Sequence, residues 1–174
     1  MKIEKLDLNN WNVRELNSIY DERKIKNSIL FVESELKIRL PLELKELISL
    51  ANDNPILPAD ECDCCLAKYN NSSLLIDVVI IFNGESIVNS TKISQESIYD
   101  KRFLLPNGLI AIGSSYDDSG DAYLIYDVRP DSATYKNVFH WRYYADNLIA
   151  GEGLGFIAHS LKEFINTPTA ENEL

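Results

Sequence analysis

The stretch LIAIGSSYDDSGDAYLIYD, residues Leu109–Asp127, decides the fold. An apolar run, Leu109 to Gly113, leads into an acidic turn, Asp117-Asp118-Ser119-Gly120-Asp121, and a second apolar run, Ala122 to Tyr126, leads out. Two strand-like segments joined by an Asp/Ser/Gly turn predict a β-hairpin. Gly120 supplies the positive φ such a turn needs, and aspartate tolerates the neighbouring turn geometry. The stretch holds no nucleophile beside a base and no complete metal loop. A calcium loop of the EF-hand kind needs an acid twelve positions on from its first aspartate, and here that position is Val128 or Arg129. Two readings remain: a solvated turn tip, and a rigid acidic tip that meets a basic partner.

Working outward, Asn27–Leu36 carries Ile29, Leu30, Val32 and Leu36 at helical spacing. Leu40-Pro41 interrupts it, because the residue before proline is driven out of the helical region. Pro41–Leu50 then predicts a second helix with Leu44, Leu47 and Ile48 on one side, ended by Asn52-Asp53-Asn54-Pro55. Pro58–Asn71 is expected to be a loop. Leu74–Phe82 is rich in branched residues and predicts a strand with Asn83-Gly84 as its turn. Val138–Tyr144 predicts a further strand, Gly151–Gly155 a loop, and Ile157–Ile165 a closing helix. Helices at both ends with strands between predict an α+β fold, a single domain over residues 1–174 with a largely antiparallel sheet.

Composition limits the function. A chain of 174 residues with 45 % hydrophobic content is long enough to bury one ordinary core. A net charge of −10 argues against nucleic acid and against anionic membranes as partners, and it permits a basic protein. The start, MKIEKLDLNN, has no apolar leader, and the most apolar stretch carries Asp77, so a cytoplasmic protein is expected. The three cysteines, Cys62, Cys64 and Cys65, are too close together for a disulfide framework. Structural zinc needs four ligands, usually in two separated pairs, and only His140 and His159 are available to complete the set. Free thiols and a fold independent of zinc are expected, with no cofactor.

Candidate partner-binding residues follow from charge and strand alternation. In Phe139–Tyr144 alternate residues share a face, so Phe139, Trp141 and Tyr143 fall to the core. His140, Arg142 and Tyr144 fall on the other side and, if exposed, are of the types found at interface hot spots. From Phe103 onward ten acids stand against four bases, whereas Met1–Arg102 has seventeen against thirteen. The denser acid excess therefore lies in the later segment and includes Asp117, Asp118, Asp121, Asp146 and Glu152. No Ser-His-Asp order, metalloprotease helix motif or phosphate loop is present, so catalysis has no positive sign.

Three segments resemble the SUKH superfamily, the Smi/Knr-like fold of bacterial immunity proteins and fungal cell-wall synthesis regulators. The first is Glu33-Ser34-Glu35-Leu36-Lys37-Ile38-Arg39-Leu40-Pro41, followed by the short helix into Asn52. The second is Leu105-Pro106-Asn107-Gly108-Leu109-Ile110-Ala111-Ile112-Gly113 with the Ser119-Gly120-Asp121 turn. The third is the closing Ile157–Ile165 segment. Lys37 and Asp53 stand where the family carries glycine, Ser119-Gly120 replaces a Gly-Gly pair, and His159 replaces an aspartate. The resemblance covers about residues 27–166, leaving 1–20 and 167–174 peripheral. It implies a non-enzymatic binding protein that neutralises a cognate bacterial toxin, plausibly a basic nuclease domain, by stoichiometric occlusion. The alternative is a regulatory protein-interaction module without a toxin.

Overall fold

The helical period read from Asn27 reaches further back: α1 spans Glu22–Leu36 in the computed structural model, which describes residues 2–13, 20–96 and 102–174. Asp21 caps it by accepting from the Lys24 N–H at 3.0 Å. The buried face is Ile25, Val32 and Leu36, while Leu30 points outward, contrary to the expected grouping. Lys37 ends the helix in the left-handed conformation with φ 54°, the place where glycine is common. Pro41 stands as the cap of α2, Leu42–Leu50, which buries Leu44, Leu47 and Ile48 as the spacing predicts. Asn52 and Asp53 follow with positive φ, and the Asp53 side chain accepts from the Gly84 N–H at 2.9 Å.

The strands form a closed antiparallel barrel. In order around it run β3 (Cys64–Lys68), β4 (Ser73–Ile81), β5 (Leu109–Asp117), β6 (Gly120–Asp127), β7 (Val138–Trp141) and β8 (Leu154–Ala158). Each strand pairs with its sequence neighbour, and one register pair, Lys68 with Phe156, closes the seam between β3 and β8. A separate two-stranded sheet joins β1 (Trp11–Asn12) to β2 (Leu57–Pro58). The expected hairpin is β5–β6, with Leu109 opposite Asp127 and Asp117 opposite Gly120. Its loop is therefore only Asp118-Ser119, and Gly120 takes φ 128°. Both β4 and β5 shift register near Gly113, and a Cβ there would lie 2.4 Å from the Ile80 carbonyl oxygen. Glycine is what lets the two backbones approach at that bulge.

Three expectations are corrected. The segment read as a loop over Pro58–Asn71 contains β3, because alternation places Cys65 and Ala67 in the core. Asn83-Gly84 is the start of a helix rather than a hairpin turn: Asn83 accepts from the Ser86 N–H at 3.0 Å and caps α3, Gly84–Gln95. The closing segment is divided, with Leu154–Ala158 in β8 and only Leu161–Ile165 helical as α4, capped by Ser160.

The core lies on both sides of the β5–β6 pair. Ile110, Ile112, Leu124 and Tyr126 pack with the helices, whereas Leu109, Ala111 and Ile125 join Leu105, Phe139, Trp141 and Leu154 in a second cluster. The N-terminal segment is also built in: Ile3, Leu8 and Trp11 are buried, and the Trp11 indole N–H donates to the Ile165 carbonyl at 2.8 Å.

Candidate interaction site

The end of the barrel at the β5–β6 turn gathers most of the residues singled out from the sequence. Asp117, the last residue of β5, is buried rather than exposed at the tip. Its Oδ2 accepts from Arg142 Nε at 2.7 Å, and its Oδ1 accepts from the Ser119 N–H at 2.6 Å. Burial alone would raise its pKa; those hydrogen bonds outweigh burial and hold the carboxyl below its usual range. Aspartate at this position closes the tight turn and also anchors a guanidinium.

His140 is corrected in the same way. All four residues of β7 are buried, so His140 is no surface residue. Its Nδ1 lies 3.0 Å from the Tyr69 hydroxyl, and its Nε2 lies 3.3 Å from Asp117 Oδ2. Burial pushes its pKa down to about 4 despite the pull of Asp117 in the other direction. The ring is therefore neutral at pH 7. Its proton belongs on Nε2, facing a carboxylate that can only accept, and Nδ1 accepts from Tyr69. The Nε2 contact is electrostatic, without the alignment of a hydrogen bond. Burial also pushes the Tyr69 hydroxyl up to about 12, which keeps it protonated as the donor.

Arg142 follows β7 in a turn and reaches from Asp117 toward Asp146, whose Oδ2 is 3.9 Å from Nη1. Burial raises the Asp146 pKa, helped by Asp117 and opposed by Arg142. The backbone carbonyl of Asp146 accepts from the Trp141 indole N–H at 3.0 Å, which ties this turn to the second core cluster. Tyr144 is exposed and donates to the Ser119 carbonyl at 3.1 Å, bracing the hairpin tip. Its ring meets Tyr143 edge-on, and Tyr143 in turn lies 4.6 Å from the ring centre of Tyr123. A cavity of about 530 Å³ opens between the β3–β4 turn and the β7–β8 connection, with Tyr69, Arg142, Asp146 and Glu152 on its wall.

Asp117, His140, Arg142 and Asp146 thus form one connected group, with Tyr144 and the exposed Asp118 close by through Ser119 and Glu152 across the cavity. Asp121, exposed on β6 opposite Tyr116, is outside the buried network. Tyr69 was missed because its segment read as loop; the alternating Cys65-Leu66-Ala67 before it was the available signal. The cysteines play no part here. Cys64 Sγ donates to Asp77 Oδ1 at 3.2 Å, and burial, with Asp77 beside it, pushes the thiol up to about 12. Among the described residues no group of three or more His, Cys, Asp and Glu side chains is placed to hold a metal ion, and no helix is long and apolar enough to cross a membrane.

The six-stranded antiparallel barrel, flanked by helices, carries its three resemblance segments inside one match: the SMI1 / KNR4 family (SUKH-1) covers residues 26–167. The chain belongs to the SMI1/KNR4 family. No curated protein and no solved structure matches it. Membership agrees with a protein-interaction module of the immunity or regulatory kind. The family's span runs from the second turn of α1 to just past α4, so it contains the whole barrel and the group around Asp117.

Proposed function

We propose that this SMI1/KNR4-family chain is an immunity-type protein that neutralises a cognate toxin, plausibly a nuclease, by covering its basic active surface. The observation that supports this most is the acidic end of the barrel. Asp118, Asp121 and Glu152 are exposed, and Asp146 is half-buried on the wall of the same cavity as Glu152. A nuclease must present cations to phosphates, and an acidic protein surface competes for the same cations. Asp117 and His140 act from beneath: with Arg142 and Tyr69 they fix the turn that carries Asp118. Tyr144 adds a rigid aromatic at the tip. Long-range attraction would speed encounter, and the aromatic contacts would slow release.

The test is association kinetics with the toxin encoded beside this gene, comparing wild type with Asp118→Lys/Asp121→Lys/Glu152→Lys. Slower association at low salt, on the order of tenfold, and a flatter salt dependence are expected. These side chains lie at a turn and on the surface, so the melting curve should hardly move. Wild-type association by the triple variant at low salt would remove this surface from the interface. Absence of any toxin in the neighbourhood would favour the regulatory-module reading instead.

A further inference from the structure

A second cavity, of about 500 Å³, has the opposite character to the acidic end. It lies where two of the segments quoted above meet: Lys37–Leu40 between α1 and α2, and Asn107-Gly108 before β5, with the start of the β6–β7 connection as the third wall. Its floor and sides are apolar, from Ile38, Leu40, Val128, Pro130 and Tyr135. Its charged lining is entirely basic: Lys37, Arg39 and Arg129. In a chain of net charge −10 that is an unusual concentration of cations on apolar surface.

Two of the three cations are left for a ligand, and the third is held in place by an acid beneath it. Among the described residues neither Lys37 nor Arg39 has a carboxylate at ion-pair distance. Glu33, the acid that feels Arg39 at longer range, is held by Lys45 at 2.7 Å and by the Leu40 N–H at 2.9 Å. Arg129 is clamped in place: its Nε and Nη2 donate to the two oxygens of fully buried Asp127 at 2.9 and 2.7 Å. Thr134 donates to the same carboxylate at 2.7 Å. The clamp uses one edge of the guanidinium and keeps the rest of the half-exposed side chain at the cavity.

We propose that this cavity is a binding site for an acidic peptide segment of a protein partner, which inserts one apolar side chain between flanking carboxylates. An apolar floor rewards a buried side chain, and cations around it reward carboxylates on either side. A bare phosphate would gain nothing from the apolar floor. The site is distinct in place and charge from the acidic end, so it does not depend on the toxin reading.

The probe is the peptide acetyl-Glu-Asp-Phe-Asp-Glu-amide, titrated at low salt into isotope-labelled full chain and followed by amide NMR shifts. Saturable shifts centred on Ile38, Gly108 and Val128 are expected, and the Gln/Asn isostere of the peptide should bind far more weakly. Lys37→Asn/Arg39→Gln should weaken the peptide by about five- to tenfold, as expected for two exposed charge contacts. Asparagine suits the left-handed backbone at residue 37, so the fold should hold; Arg39→Glu alone gives the same reading should the double variant unfold. Equal binding of the isostere, or unchanged affinity in both variants, overturns the proposal. Inorganic phosphate producing the same shifts at lower concentration also overturns it. So does a wild-type dimer that the double variant abolishes, because a second copy would then be the occupant.

Discussion

Asp117 is buried while Asp118, next to it, is exposed. Sequence adjacency suggested a single acidic tip, but strand pairing continues through Asp117 to Gly120 and turns its carboxylate inward to Arg142. Which acid faces inward is a question of register, and register is fixed by pairing across strands rather than by composition. His140 alternates with Phe139 and Trp141 along β7, yet it is buried as they are, and its ring meets Tyr69, which is 71 residues away in sequence. That burial has a measurable consequence. The native ring binds a proton only near pH 4, whereas the unfolded ring binds one near its ordinary 6.5. Between those values the unfolded chain holds more protons. The stabilisation from neutral His140 is therefore complete above pH 6.5 and is lost as pH falls to 4, by up to roughly 3 kcal/mol. His140→Gln keeps an acceptor for Tyr69 and removes the titration. The stability gap between wild type and His140→Gln, from urea denaturation, should narrow as pH is lowered from 7 to 4; a gap independent of pH would show that the ring is not held neutral.

At the scale of elements, the β5–β6 hairpin and the apolar face of α2 were legible because their patterns are long and regular. β3 was hidden by acids and cysteines around a five-residue run, and α3 by its composition: it buries Ile87 and Val88 but also Thr91 and Ser94, so its apolar period is faint. The Asn-Gly pair before it serves a hairpin turn and a helix cap equally well, and only the Ser86 contact distinguishes them. Asn83→Ala should cost about 1 kcal/mol if the cap is as described, measured by chemical denaturation, and a neutral substitution would contradict it. Gly113→Ala tests the double bulge. The added Cβ would press on the backbone at Ile80 rather than on a side chain that can rotate away, so a loss of about 1–3 kcal/mol is expected. Wild-type stability would mean that the β4–β5 approach is looser than the geometry requires.

On the scale of the whole molecule, acid is spread more widely than the linear count suggested. Glu61, Asp63, Asp77 and Glu171 meet around a cavity of about 690 Å³ beside Tyr116, so acids from the first half of the chain share a face with the C-terminal segment. Folding also joins what the family match leaves out. Residues 2–13 precede the matched 26–167, yet Trp11 is 5 % exposed, packs on Phe164 at 6.1 Å between ring centres, and donates to the Ile165 carbonyl. Lys162 of α4 in turn pairs with Asp7 at 3.2 Å. No periodic pattern announces this, because the segment contributes isolated anchors, Ile3, Leu8 and Trp11, rather than a long element. The N-terminal segment and α4 should therefore unfold together. Trp11→Ala empties a buried aromatic site and leaves the Ile165 carbonyl unpaired; a loss of about 3–5 kcal/mol is expected. Trp11→Phe keeps most of the packing and loses the hydrogen bond, for a smaller loss of about 1–3 kcal/mol. Hydrogen exchange should show α4 amides losing protection in both variants in proportion to the loss of stability. If Trp11→Ala leaves stability and α4 protection at wild-type values, the N-terminal segment is an appendage and the core ends at the family boundary.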